Sequence, residues 1–250
     1  MHTDVVDLRD FYETRLGQVA RHMIRHAIRN MWPDLHGLSL LGLGYATPYL
    51  RQFRGEAERV VALMPASQGV IHWPAEGPGA VALSEETELP LPDYSVDRAL
   101  LVHCLESSEA LSALLSEIWR VLTGDGRLLV VAPNRRGIWA QVERTPFGSG
   151  HPYSKPQLSK LLRTNMFTPT RSAGALFVPP TRSRTLLRSA AAWERIGTRW
   201  FPRFAGVELV EAGKQLYSPG MAPQKTVRRR RPVVVALPQV ARRLPRQPVS

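Results

Sequence analysis

Cysteine is all but missing from this chain. Cys104 is the only one in 250 residues, which excludes an internal disulfide and a structural zinc site built on paired thiolates. As a lone cysteine it is expected to be a small buried apolar residue. No apolar run approaches the roughly 18 residues that a membrane span needs. The start, Met1-His2-Thr3-Asp4 with Asp7 soon after, lacks the cationic opening and apolar core of a secretory leader. A soluble, cytoplasmic protein without a metal centre is therefore expected. Acids are also scarce, 21 against 33 Lys and Arg, giving a net charge of +12.

Between Gly220 and Ser250 the shortage of acids is complete. Lys225, Arg228, Arg229, Arg230, Arg231, Arg242, Arg243 and Arg246 stand there with no Asp, Glu or aromatic residue. Those eight charges make up two thirds of the net charge, so the body of the chain is only mildly basic. This proline- and arginine-rich tail reads as disordered. Arg228 to Arg231 are its candidates for weak, salt-dependent contact with nucleic acid, and the lack of aromatics leaves base stacking out.

What is present is an ordinary globular composition, 44% hydrophobic and 22% charged. From Asp7 to about Met31, Leu8, Phe11, Leu16, Val19, Met23, Ile24 and Ile28 fall near helical spacing and predict one amphipathic helix, ended by Trp32-Pro33-Asp34. Short apolar runs follow, at Leu38–Leu43, Arg59–Met64, Ala80–Leu83, Val96–Val102 and Arg127–Ala132. Helical patterns at Ser108–Leu122 and Lys155–Asn165 predict helices between and after them. Further strands are expected near Gly174–Val178 and Gly206–Lys214, with a helical stretch around Thr185–Ile196. Strands alternating with helices predict an α/β fold, a mostly parallel sheet covered on both faces. Three regions are expected: a helical cap over 1–36, the α/β domain over 37–219, and the tail over 220–250.

Gly42-Leu43-Gly44-Tyr45-Ala46 follows the first strand, where glycines allow a tight turn or the close approach of a ligand. Downstream come Leu89-Pro90-Leu91-Pro92-Asp93, then Val96-Asp97 opening a strand, Arg120-Val121-Leu122-Thr123-Gly124-Asp125-Gly126, and a strand ending in Pro133-Asn134. Tyr153-Ser154-Lys155-Pro156-Gln157-Leu158 and Asn165-Met166-Phe167 complete the series. This order resembles the type 11 methyltransferases, of the class I S-adenosylmethionine-dependent kind, from about Leu38 to Thr168.

The resemblance implies a Rossmann-like, seven-stranded sheet and S-adenosylmethionine as cofactor. It implies that Gly42, Gly44, Tyr45 and Ala46 approach the methionine part, that Met64 ends the second strand beside the ribose, and that Glu85 or Glu86 flanks the adenine. His103 and Cys104 then close the fourth strand facing the methyl, with His103 a candidate base. His151 and Tyr153 are candidates for an acceptor pocket, and Phe11, Tyr12 and Arg15 for a cover supplied by the first helix. The chain departs from the family pattern at Leu40 and Met64, where acids are usual, and at Ala46, where the third glycine is usual. Two readings stay open: a methyltransferase acting on a small-molecule acceptor, and a catalytically silent relative kept as a binding or partner protein.

Overall fold

The leucine- and valine-rich runs form strands because branched and apolar side chains pack well on a sheet buried on both faces. The structure is a computed structural model that describes residues 4–216. The strands are β1 (Ser39–Gly44), β2 (Arg59–Pro65), β3 (Val81–Ser84), β4 (Val96–Val102), β5 (Leu122–Pro133), β6 (Phe167–Ala175) and β7 (Val207–Lys214). They make one sheet in the order β3-β2-β1-β4-β5-β7-β6. The pairs β1 with β2, β2 with β3, β1 with β4 and β4 with β5 are parallel. Only β7 is reversed, running antiparallel to both β5 and β6. This is the Rossmann-like, mostly parallel seven-stranded sheet that the sequence predicts. The strand order changes direction between β1 and β4, and open α/β sheets bind ligands at the carboxyl ends of strands flanking such a point.

The helices are α1 (Val5–Glu13), α2 (Arg15–Met31), α3 (Thr47–Leu50), α4 (Leu111–Val121), α5 (Lys155–Thr164), α6 (Arg184–Arg188) and α7 (Ala190–Trp200). Two buried clusters result. One gathers α1, α2, α3 and Leu40, Met64, Leu100 and Val102 of the sheet. The other gathers α4, α5 and Leu41, Leu43, Ala99 and Leu101 from the opposite face.

Four expectations need correction. The N-terminal helix is two helices: Thr14 is extended, and its hydroxyl caps α2 by accepting from the Gly17 N–H. A side chain at Gly17 would run into the Phe11 carbonyl, so only glycine lets α1 turn this closely against α2. The helical stretch near Thr185 is likewise divided at Ser189. Strand β5 begins at Leu122, earlier than the expected start at Arg127. The strand placed near Gly174–Val178 is β6, centred several residues earlier. As an edge strand it tolerates Pro169 and an exposed polar run, which hides it from a search for apolar residues. Arg228 to Arg231 and the rest of the tail lie outside the described residues. Among the described residues, no helix is long and apolar enough to cross a membrane.

One network explains why two of the sequence motifs occur together. The Arg120 guanidinium donates to the carbonyls of Leu89 and Leu91 and to the carboxylates of Asp93 and Glu117. Glu117 in turn accepts from the Leu89 N–H. Arg120 thus ties the Leu89–Asp93 segment to α4, setting where β4 enters the sheet.

Candidate active site at the carboxyl ends of the strands

The turn after β1 is shaped by close packing of the chain on itself. Gly44 has a φ of +72°, and a Cβ there would lie 2.5 Å from the Val102 carbonyl oxygen and 2.8 Å from the Cβ of Cys104. A Cβ at Gly42 would lie 2.5 Å from a methyl of Leu50. Both glycines are therefore required by the approach of β1 to β4 and of α3 to the sheet. Tyr45 and Ala46 follow, both buried, and Met64 is fully buried at the end of β2. Burial also pushes the Cys104 thiol up, so at neutral pH it stays an apolar packing group.

His103 stands just beyond β4, buried, in the left-handed backbone region at φ +50°. Such a conformation in a residue with a side chain costs about 1–3 kcal/mol and is kept only where its surroundings impose it. Here Gln68 donates to the His103 carbonyl at 2.9 Å. On the side-chain side a directed chain of hydrogen bonds forms. The Tyr49 hydroxyl donates to the Tyr12 hydroxyl at 2.8 Å. Tyr12 Oη, its proton free to go forward, meets His103 Nε2 at 2.7 Å, which leaves the imidazole proton on Nδ1 facing Glu106 Oε1 at 3.2 Å. Burial raises the Tyr12 phenol well above its ordinary value, as it does Tyr49, and pushes Tyr45 up to about 12. All three are neutral hydrogen-bonding groups at physiological pH. The Tyr12 ring stacks on Tyr45, centroids 5.6 Å apart, and Phe147 lies 5.0 Å from the imidazole on another side.

Two buried acceptors have no partner, Glu106 Oε2 and Gln68 Oε1. They border a void of about 10 Å³ shared with His103, Ser107, Pro146, Ser149 and Gly150. The orphaned acceptors suit a donor or cationic group, and the void has room for little more than a water. A separate cleft of about 180 Å³ is lined by Ala66, Ser67, Glu85, Glu86, Thr87, Glu109 and Ala110. Glu86 is held there by the Ser108 hydroxyl at 2.6 Å, while Glu85 is exposed.

Gly44, Tyr45, Met64 and His103 thus stand at the ends of β1, β2 and β4. A ligand the size of S-adenosylmethionine needs a pocket of about 300 Å³ or more. Neither the void of about 10 Å³ nor the cleft of about 180 Å³ is that large with α1 seated.

Of the other candidates, Phe11 packs on Phe147 and Tyr12 meets His103. Arg15 lines a cavity of about 500 Å³ next to it, with Phe11, Arg144, Thr145, Arg182, Arg184 and Leu187. The His151 N–H donates to the Glu106 carbonyl, and its side chain is exposed. Tyr153 pairs with Asn134 and packs on the opposite face of the sheet from Tyr12. Gln68, Tyr49, Glu106 and Phe147 were not anticipated. Each comes from a different loop or short helix, and no spacing in the sequence links them. Among the described residues, Asp34, His36 and Glu56 could together offer ligands to a metal, but the Glu56 carboxylate is taken by Arg29 at 2.7 Å and by the Leu35 N–H.

Comparison with known proteins agrees with this fold. Residues 40–130 match the methyltransferase domain family. No curated protein matches in sequence. Among solved structures, an S-adenosylmethionine-dependent methyltransferase of Thermotoga maritima is 16% identical, with a TM-score of 0.59 over 84% of this chain and 96% of that one. One from Mesorhizobium loti is 15% identical, TM-score 0.53, over 75% and 96%. The 1,6-didemethyltoxoflavin-N1-methyltransferase of Burkholderia thailandensis, solved with S-adenosylhomocysteine, is 17% identical, TM-score 0.52, over 83% and 82%. The chain thus has the fold of the class I S-adenosylmethionine-dependent methyltransferases, and its residues 40–130 match the methyltransferase domain family.

Proposed function

We propose that the chain is a cytoplasmic methyltransferase that uses S-adenosylmethionine on a small-molecule acceptor, and that α1 must leave its seat before the cofactor enters. The observation that carries this reading is the position of Tyr12, which packs against Tyr45 and Tyr49 and occupies His103 Nε2. The family match and the bound product in the Burkholderia relative support the choice of cofactor. Gly42, Gly44, Tyr45, Ala46, Met64, Glu85 and Glu86 are the residues along which it would lie. When bound it supplies an activated methyl group, so the protein need only align an acceptor and take up a proton.

His103 suits that second task. Glu106 accepts from Nδ1–H and fixes the tautomer, leaving Nε2 as the basic atom, free once Tyr12 withdraws. The arginine-lined cavity beyond Phe11 and Thr145 offers an acceptor a place, and its charge favours one carrying a carboxylate or phosphate. The second reading is a methyltransferase fold kept without catalysis.

Calorimetry separates the two. Titration of the full chain and of Tyr12→Ala with S-adenosylhomocysteine should show binding that is tighter in the variant, because removing the phenol frees both the volume and Nε2. Absence of heat from both proteins at millimolar ligand would exclude the enzyme reading and leave the silent one.

A further inference from the structure

The outer side of α7 carries an apolar stripe that nothing in the described structure covers. Trp193, Ile196 and Trp200 recur three and four residues apart and so share one flank of the helix. The stripe continues beyond the helix into Phe201 and Phe204. Trp200, Phe201 and Phe204 are 70%, 56% and 58% exposed, unusual for aromatic side chains at a single place on a monomer. Leu186 of α6 is exposed nearby in sequence. Arg188, Arg195, Arg199 and Arg203 are interspersed and exposed, and none forms an ion pair among the described residues.

The display is rigid. On its inner side, Glu194 of α7 accepts from the N–H groups of Leu176 and Phe177, and Gly197 lies against the Phe177 ring. The Asn134 side chain donates to the carbonyls of Arg203 and Ala205, holding the segment that bears Phe204. Side chains that could have turned inward are therefore presented outward on a fixed frame. Beside α7, a half-open cavity of about 750 Å³ against α2 and β6 has Arg195 and Arg199 on its rim with His22, His26 and Arg171, and Glu194 as its one acid.

Charge decides what such a face can meet. A second copy of a chain with net charge +12 would bring arginines against arginines, and residues 220–250 carry eight positive charges and no acid. Both are repelled. An anionic partner is attracted, and a helix with tryptophan and aliphatic residues flanked by arginines has the composition of one that lies in a lipid interface. A convex helical flank carrying Ile196 does not form the basic groove that tracks a nucleic-acid strand.

We propose that α7 and the Phe201–Phe204 segment dock the protein on an anionic phospholipid bilayer. Trp193, Ile196, Trp200, Phe201 and Phe204 enter the interface while Arg195, Arg199 and Arg203 meet headgroup phosphates. The inference does not depend on catalysis.

The test is flotation of the full chain with vesicles of phosphatidylcholine alone and with vesicles in which about a third of the lipid is phosphatidylglycerol. Binding is expected only to the second kind. Tryptophan fluorescence should be quenched by lipids brominated on their acyl chains, a signal the tail cannot give because it has no tryptophan. The combined Trp200→Ser, Phe201→Ser and Phe204→Ser variant should partition about tenfold less or weaker still. Should that variant fail to fold, Arg199→Glu at an exposed site should weaken binding several-fold with an unchanged melting curve. Equal flotation of wild type and variants without quenching assigns any binding to the tail and overturns the proposal. So does quenching by oligouridylate with no vesicle binding, or a dimer in sedimentation that the triple variant dissociates.

Discussion

The hydroxyl of Tyr12 lies 2.7 Å from Nε2 of His103, a bond between a surface helix and the end of a central strand 91 residues later in the chain. It makes α1 a part of the site as well as its cover. Tyr12→Phe keeps the ring and removes the hydroxyl, leaving the Tyr49 hydroxyl and His103 Nε2 without partners, both buried. A buried group left unsatisfied costs about 1–3 kcal/mol. The variant should unfold at lower urea than wild type by that amount. If seating of α1 gates the cofactor, it should also bind S-adenosylhomocysteine tighter, about tenfold for each 1.4 kcal/mol by which the seat is weakened. Loss of stability with unchanged affinity would show that Tyr12 only packs.

Gly44 is predicted to be a residue of the fold before it is a residue of the cofactor site. An alanine there must adopt a left-handed conformation and bring Cβ into contact with the Val102 carbonyl. The conformational cost alone is about 1–2 kcal/mol, and the overlap adds to it. Gly44→Ala should therefore lower the melting temperature markedly in the absence of any ligand. A variant that melts like wild type and loses only cofactor binding would contradict this.

The legibility of the sequence followed the same division. The sheet could be read because its central strands are apolar runs, and because the Leu89–Asp93 and Arg120–Gly126 motifs are joined by the one guanidinium of Arg120. Met64 and Leu40 stood out as departures, and both are buried in the core, where an acid would need partners the structure does not provide. The contact of Tyr12 with His103 could not be read. It depends on the break at Thr14, and an apolar spacing that runs across Thr14 looks like a single helix. Thr14 followed three residues later by Gly17 was the available signal, a capping hydroxyl at a position that permits close approach. Gln68 and Glu106 had no signal, since a buried polar group in a loop is defined only by what surrounds it.

Arg120 offers a direct test of the coupling between motifs. Arg120→Ala removes the guanidinium donor from the carbonyls of Leu89 and Leu91 and leaves Glu117 only the Leu89 N–H, so a loss of about 1–3 kcal/mol is expected by urea denaturation. Arg120→Lys should recover only part of it, because an ammonium cannot reproduce the planar fork that spans four acceptors. Full rescue by lysine would mean that charge, and not geometry, is what α4 contributes here.

Glu208 makes the stability of the sheet depend on pH in a defined sense. It sits in β7, opposite Ala132 of β5 and Gly174 of β6, and burial pushes its carboxyl up to about 7, with Lys155 opposing the shift. In the unfolded chain a glutamate titrates near about 4.3. Between those two values the folded chain holds a proton that the unfolded chain has released. Its contribution is therefore fully present below the unfolded value, falls as the pH rises through that window, and is gone above about 7. Glu208→Gln replaces the carboxylate with a neutral amide of similar shape. It should stabilise the protein at pH 8 by about 1–2 kcal/mol, with the gain shrinking toward zero near pH 5. Chemical denaturation of both proteins at the two pH values measures the difference directly. A gain of the same size at both would place its origin in packing and remove Glu208 as the titrating group.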